Sequence, residues 1–497
     1  VHKPWLRLAT AVGLVVAGVI STSAAGASDP QVVFTSYTVT DGTNPVTGGE
    51  PSMGYDPIRD SLIYGASGHE TRMDFDRRGP GSVSQLDVTA PTSVITADAI
   101  TFTDRMTGRT FDTQLLGACS AMSSSDDAGL NWTPSTGCGQ DTFLDHETVG
   151  GGPYHSPTPI GADLSYPNAV YYCAQNGFNA SCAVSIDGGR TFGPGVYISN
   201  TPLNNPGDPF GGACSGLHGH LQVGPDGTAY VPIKGCGGTP TGDNLTNQEF
   251  YGGRPAVSVS TDNGKTWLIH TVPGGSNGDE SDNAIGVDKG NRVYMGWQDS
   301  AYPDPSNDAF LPLTSSAKTA YSDDNGTTWS QPVDLSSALG VHNVQFPEMV
   351  GGSKGRAAMA FLGTNAIGDD QHNGFVGPDG NPAVWHLYVA LTYDGGRSWS
   401  TYDTTPDHPV QRGCVDLQGI SNKTVSDKNI CSQRNLLDFN DINYDRHGRV
   451  LVAYAEACQA TPNCLTNPTV RSTKAVNHVM RLTTGKGLVP AYDGKLK

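Results

Sequence analysis

The amino-acid sequence predicts an all-β fold built from repeated small sheets. Three observations predict it. The 497 residues include 63 Gly and 33 Pro, and only 16% are charged, which suits short strands joined by turns and disfavours long surface helices. One octapeptide recurs five times. A second hairpin pattern recurs between its copies. Self-similarity of this kind marks a repeat architecture, so the length does not by itself argue for several separate domains.

The octapeptide reads STDNGKTW at 260–267, SDDNGTTW at 322–329, TYDGGRSW at 392–399 and SIDGGRTF at 185–192, with a looser copy, SDDAGLNW, at 125–132. Its chemistry is that of a turn. The Asp carboxylate accepts hydrogen bonds from nearby backbone N–H groups. The Gly admits a positive φ that closes a tight hairpin. The final aromatic begins the return strand and packs into the sheet. The Asp-to-Asp spacings are 60, 75, 62 and 70 residues. A four-stranded unit needs about 40–50, so the surplus is loop, where function concentrates.

This octapeptide resembles the Asp-box, or bacterial neuraminidase repeat, of sialidases and related β-propellers. The resemblance implies a propeller of four-stranded blades, each Asp-box lying between the third and fourth strands at the rim. It makes Asp127, Asp187, Asp262, Asp324 and Asp394 structural. The second pattern, apolar residues, an Asp or Gly turn and a strand, appears at 53–64, 220–230, 285–294 and 441–451. Both patterns together give seven blades, near 50–90, 97–133, 145–195, 217–270, 282–332, 345–401 and 438–482, with six as the alternative. The expected organisation is a segment at 28–49 carrying a ring-closing strand near 31–39, a propeller over 50–484 and a tail at 485–497.

Residues 1–27 read as an export signal: Lys3 and Arg7, an uncharged apolar stretch over 8–20, then small residues through Ala27. The apolar run is short against the about 20 residues a bilayer span needs. A secreted, extracellular monomer is expected. Ten cysteines, an even number, fit that compartment. They are read as five sequential disulfides: Cys119–Cys138, Cys173–Cys182, Cys214–Cys236, Cys414–Cys431 and Cys458–Cys464. No CxxC pair supports a zinc ribbon. The net charge of −18 argues against nucleic acid or an anionic membrane as partner.

Propeller ligands usually meet the channel mouth, where inner strands begin. The residues just before those strands are Glu50, Asp98, Asp145, His146 and Glu147, His218 and His220, Asp279, Glu280 and Asp282, Gln345 and Glu348, and Asp438 and Asp441. Turn preference alone accounts for Asp at such places, but not for His and Glu. Glu147, Asp441 and Asp98 are the catalytic candidates, and His146, His218, His220, Glu280, Asp282, Glu348 and Asp438 are candidate substrate contacts. Glycoside hydrolysis needs a carboxylic acid and a second group opposite it, and sialidases use a Tyr nucleophile instead. The resemblance also implies an arginine triad on the sugar carboxylate. Arg72, Arg254, Arg412 and Arg434 are candidates, although the family's Arg-bearing motif ahead of the first Asp-box has no match here. Tyr171, Tyr172, Tyr251 and Tyr388 are the candidate phenols, and Trp297, Trp385 and Tyr172 a candidate sugar platform.

The expected function is a sialidase-like glycoside hydrolase, of the exo-α-sialidase type, acting on terminal sugars of glycans. The alternative is a non-catalytic propeller that binds glycan or protein at the channel mouth. No cofactor is required by either. A third possibility is another propeller enzyme, such as a lyase or a metal-dependent hydrolase, for which His146, His218, His220 and neighbouring carboxylates offer a divalent-cation site.

Overall fold

The structure, a computed structural model, describes residues 31–76, 81–95, 98–117, 119–137, 145–175, 179–199, 214, 218–236, 239–240, 250–251, 253–276, 281–300, 314–370, 372–415, 431 and 433–496. The signal reading at 1–27 lies outside them.

Seven antiparallel sheets form seven blades in a ring. From inside outward, blade 1 is Ser52–Asp56, Ser61–Ala66, His69–Phe75 and Val83–Asp87. Blade 2 is Ala99–Thr103, Thr110–Leu115, Ser120–Ser125 and Thr133–Gly137. Blade 3 is Asp145–Pro153, Asn168–Gln175, Ala180–Ser185 and Val196–Tyr197. Blade 4 is Gln222–Val223, Ala229–Cys236, Arg254–Ser260 and Leu268–Thr271. Blade 5 is Ala284–Val287, Val293–Asp299, Ser316–Ser322 and Val333–Asp334. Blade 6 is Asn343–Gly351, Ala357–Thr364, Val384–Thr392 and Ser400–Asp403, with Gln411–Arg412 added to its third strand. Blade 7 is Asp441–Tyr444, Val450–Glu456 and Val476–Thr484, and its outermost strand comes from the other end of the chain, Val33–Thr38. Consecutive inner strands touch, and that of blade 7 touches that of blade 1. Closure by Val33–Thr38 joins the two ends of the repeat, which leaves no gap between last blade and first.

Each Asp-box closes the turn between third and fourth strands by the same bonds. In blade 4, Ser260 Oγ donates to Asp262 Oδ1 (2.9 Å) and accepts from Gly264 N (2.8 Å). Thr266 N and Oγ1 donate to the two carboxylate oxygens at 2.9 and 2.6 Å. Gly264 sits at φ 78° with its Cα against Val184 and Tyr171 of blade 3, so the turn needs glycine twice over. Burial opposes ionisation of Asp262, but the bonds from Thr266 and Ser260 outweigh it and hold the carboxyl below its ordinary range. The same set recurs at Asp127, Asp187, Asp324 and Asp394. The aromatics dock on the preceding blade in several copies. Trp267 meets Tyr171 edge-on at 6.2 Å, Trp399 meets Tyr294 at 6.4 Å, and Trp132 Nε1 donates to Val88 O (2.7 Å).

The second repeat is the hairpin from inner to second strand. Its Asp holds the turn from inside: Asp288 Oδ1 accepts from Gly290 N and Arg292 N, and Asp445 Oδ1 from His447 N and Arg449 N. Four disulfides form, Cys173–Cys182, Cys214–Cys236, Cys414–Cys431 and Cys458–Cys464; Cys138, of the fifth expected pair, lies outside the described residues. Among those residues no helix is long and apolar enough to cross a membrane.

A buried polar chain ties the closing strand to its blade. Ser36 Oγ lies 2.8 Å from Tyr454 OH and 3.2 Å from His478 Nδ1, and Tyr454 OH donates to Glu456 (3.3 Å). Burial pushes the Glu456 carboxyl up to about 8 and the His478 imidazole down to about 3. Both stay neutral near pH 6, which suits an interior that penalises charge.

Two expectations follow. Asp262→Ala removes bonds to a charged acceptor and costs about 1–3 kcal/mol, read as a lower midpoint in thermal unfolding. Because the folded-state carboxyl titrates below its unfolded value, that cost is full above about pH 5 and shrinks as pH falls through the folded pKa. Glu456 behaves oppositely. Its raised folded-state pKa makes wild-type stability fall as pH climbs from about 4.5 to about 8, so Glu456→Gln matches wild type near the first value and unfolds several degrees higher near the second.

Candidate functional site at the channel mouth

Inner-strand entrances bring side chains from five blades to one place. Two entrances are kinked. In blade 3 the pairing slips between Asp145 and Thr148, and His146 has φ 51°; in blade 6 it slips between Gln345 and Glu348, and Phe346 has φ 55°. Left-handed backbone at a non-glycine residue costs on the order of 1–3 kcal/mol and concentrates at functional sites. A bulge also re-aims the side chains beside it.

His146 and its neighbour Glu147 accordingly face different surroundings. His146 Nε2 lies 2.6 Å from Asp282 Oδ2, linking blade 3 to blade 5. Its ring stands 5.5 Å from His218 and 6.4 Å from Phe439. Glu147 is buried between blades 2 and 3, where Ser120 Oγ and Tyr172 OH (3.1 Å) donate to it.

His220 packs edge-on against Phe439 at 4.8 Å, and its Nδ1 is 3.8 Å from Glu348 Oε1, linking blade 4 to blade 6. One donor atom each from His220, Glu348 and Asp441 lies within 4.8 Å of the other two. The side chain of His220 is 16% exposed and that of Glu348 6%, so the group lies just beneath the surface. Asp441 is fixed at its root: Met53 N donates to Oδ2 (2.7 Å) and Ile442 N to Oδ1 (2.6 Å). The entrances lock to one another as well. Leu221 N donates to Thr148 Oγ1 (3.2 Å), Asn283 Nδ2 to Ile233 O (2.8 Å), and Ser281 Oγ donates to Gln345 Oε1 (2.6 Å) while accepting from Phe346 N.

Burial dominates the protonation of this group. It pushes Glu348 well above its ordinary range, helped by the charges of Asp441 and Asp282. It lifts Asp441 to about 7 against the two N–H donors. It drops His218 and His220 to about 4, with His146 adding to the shift. Desolvation thus holds both the acids and the imidazoles toward their uncharged forms, and groups perturbed by burial and a specific neighbour concentrate at functional sites.

A second group lies at the entrances of blades 7, 1 and 2. Arg434 clasps Asp438 with two bonds of 2.6 Å, and Asp438 N donates to Glu50 Oε1 (3.1 Å). Burial, then Asp98 and Asp438, push Glu50 well up. Asp98 is buried here too.

Other sequence candidates fall elsewhere. Arg72 is on the third strand of blade 1, held by Asp74 at 3.0 and 3.1 Å. Arg254 starts the third strand of blade 4, opposite Cys236. Third strands stand about 10 Å out from inner ones, so the backbones of these two arginines lie two strands away from the inner entrances. Arg412 bonds Cys464 O. Trp297 and Trp385 are fully buried, and Tyr171 and Tyr172 nearly so, which makes them core between blades and not a sugar platform. Asp279 and Glu280 lie outside the described residues. Phe439, the wedge between His146 and His220, escaped sequence reading; its one signal was its place between Asp438 and Asp441.

The BNR/Asp-box repeat family matches residues 320–331, the copy in blade 5. The chain is thus a seven-bladed β-propeller that carries Asp-box repeats. No curated protein matches it. Solved structures similar to it include a protein of unknown function from Dyadobacter fermentans, at 11% identity over 92% of this chain and 99% of that one with a TM-score of 0.41. An α-L-arabinofuranosidase of Fusarium graminearum is 12% identical over 74% and 89%, TM-score 0.38. The intramolecular trans-sialidase from Ruminococcus gnavus is 10% identical over 90% and 96%, TM-score 0.38. At such identities no site residue of this chain is assigned from them.

Proposed function

We propose that this Asp-box propeller is a glycan-acting hydrolase whose site is the channel mouth formed by blades 3 to 7. The observation that carries the reading is the His146–Asp282 pair, 2.6 Å apart across two blades, standing beside His220, Glu348 and Asp441. An imidazole oriented by a carboxylate is a standard proton-transfer unit. Around it, carboxyls and imidazoles alternate as acceptors and donors, which matches sugar hydroxyls, each able to donate and accept. In hydrolysis His146 moves the proton at the glycosidic oxygen or the attacking water, Asp282 holds its ring, and Glu348 and Asp441 face the sugar.

The sialidase form of the reading requires guanidinium groups at the sugar carboxylate. Arg72 and Arg254 stand two strands out, and Arg434 is clasped by Asp438. Together with a net charge of −18, this favours a neutral terminal sugar. The disulfides suit an oxidising compartment, where such substrates are met.

The test is a panel of fluorogenic glycosides, neutral and sialylated, and polysaccharides followed by reducing-end release. Turnover of a neutral substrate is expected, with His146→Ala and Asp282→Asn each lowering kcat by about 100-fold or more while thermal unfolding stays cooperative. Asp262→Ala, at the rim, keeps wild-type turnover below its own unfolding range. Silence across the panel, or turnover that ignores both mouth variants, overturns the reading; preference for the sialoside overturns its neutral-sugar form.

A further inference from the structure

We infer that His220, Glu348 and Asp441 form a binding site for one divalent first-row transition ion of the zinc type. The inference takes its location from the proposed glycan site but is a separate claim about these side chains.

Three observations point to a cation. The first is geometric. One imidazole nitrogen and two carboxylate oxygens already lie within 4.8 Å of one another. Donors around a tetrahedral ion with bonds near 2.1 Å stand about 3.4 Å apart, so small side-chain movements complete the set. Asp441 cannot swing away, because both its oxygens accept backbone N–H groups.

The second observation is His218, buried at 1% exposure. Its Nδ1 lies 3.1 Å from Gly219 O. A carbonyl only accepts, so Nδ1 carries the hydrogen and Nε2 presents a bare lone pair. That Nε2 is buried with no hydrogen-bond partner. A histidine whose far N–H is spent on a backbone carbonyl is oriented as metal-ligating histidines are, and an unsatisfied buried acceptor is costly to keep. His218 thus holds a bare lone pair in the neighbourhood of the site: its ring stands 5.5 Å from that of His146, and the charges of Asp282 and His220 act on it.

The third is charge. The carboxyls of Glu348 and Asp441 converge on one place, and the Asp282 carboxylate is near enough to act on Glu348. A divalent ion among three acids supplies positive charge that favours their ionised forms. The donor set selects its class: imidazole suits zinc, iron, nickel and copper, whereas calcium and magnesium take oxygen. In the glycan reading the ion binds sugar hydroxyls and leaves the His146–Asp282 pair to move the proton.

The experiment uses the whole chain, stripped with chelator and titrated with zinc chloride by calorimetry, and with cobalt(II) chloride by visible absorption. One equivalent is expected to bind, with an absorption band of low-coordinate cobalt, and zinc is expected to raise the unfolding midpoint. Glu348→Gln and His220→Asn should weaken zinc binding on the order of 100-fold and abolish the zinc-dependent rise in midpoint, whereas Asp262→Ala binds as wild type. Should either mouth variant fail to fold, the cobalt spectrum of wild type still decides, since strong visible bands require a low-coordinate protein site and weak six-coordinate bands overturn it. No binding by folded wild type, binding equal in both mouth variants, or calcium competing as well as zinc overturns the inference. Zinc bound at this site with no turnover on any glycan sustains the ion and sinks the glycan reading, so the two fail separately.

Discussion

The arrangement rests on burial between neighbours. No four-stranded blade here can hide both of its faces alone, so each must lie against the next, and the series is stable only as a closed ring. Backbone proximity enforces it. Gly351 of blade 6 lies so close to Val287 of blade 5 that a Cβ would fall 2.2 Å from its carbonyl carbon, and Gly150 of blade 3 meets Leu221 of blade 4 in the same way. Inner strands pressed together like this share an axis. Their entrances then converge whatever residues occupy them, and the channel mouth is the geometric result of how the blades pack.

Aspartate plays two opposed parts in this architecture. At the rim, Asp-box carboxylates receive backbone and hydroxyl donors, stay ionised, and fix turns. At the mouth, Glu348 is buried and Asp441 half-buried, with fewer donors, and desolvation pushes both toward the neutral form. The same functional group stabilises the scaffold where hydrogen bonds outweigh desolvation, and becomes reactive or ion-seeking where desolvation wins. A repeat protein can therefore keep its fold and its chemistry apart: the five turn motifs face outward, and the bulged entrances face the axis. The strained φ angles at His146 and Phe346 belong to the second class. They are local costs at the two entrances that deliver His146 and Glu348, tolerated because the ring around them is held by many other bonds.

Zinc-type ligation and glycan chemistry are compatible in this setting because they use different pairs. Five blades contribute to the mouth, which offers one imidazole–carboxylate pair for proton movement and a second set for charge. A single sheet, with side chains alternating in two directions, could not place three histidines and three acids within such a radius.

Much of this was legible in the primary structure, and for a physical reason. Turn chemistry is local, so the five octapeptides and the Asp-bearing inner hairpins announce themselves by spacing alone. Counting both gives seven units and an N-terminal strand left over to close them. Strand entrances follow from the same count, which is why His146, His218, His220, Asp282, Glu348 and Asp441 could be named together as neighbours of one axis. What the sequence could not decide is direction and distance. Whether Glu147 or its neighbour His146 faces the mouth depends on a register slip that only pairing with the second strand creates. Whether Arg72 and Arg254 reach the axis depends on which strand of the blade carries them. Phe439 looked like any core aromatic until the ring set it between two histidines from different blades. Pairing register and blade-to-blade contact are long-range quantities, and they exist only once the circle has closed.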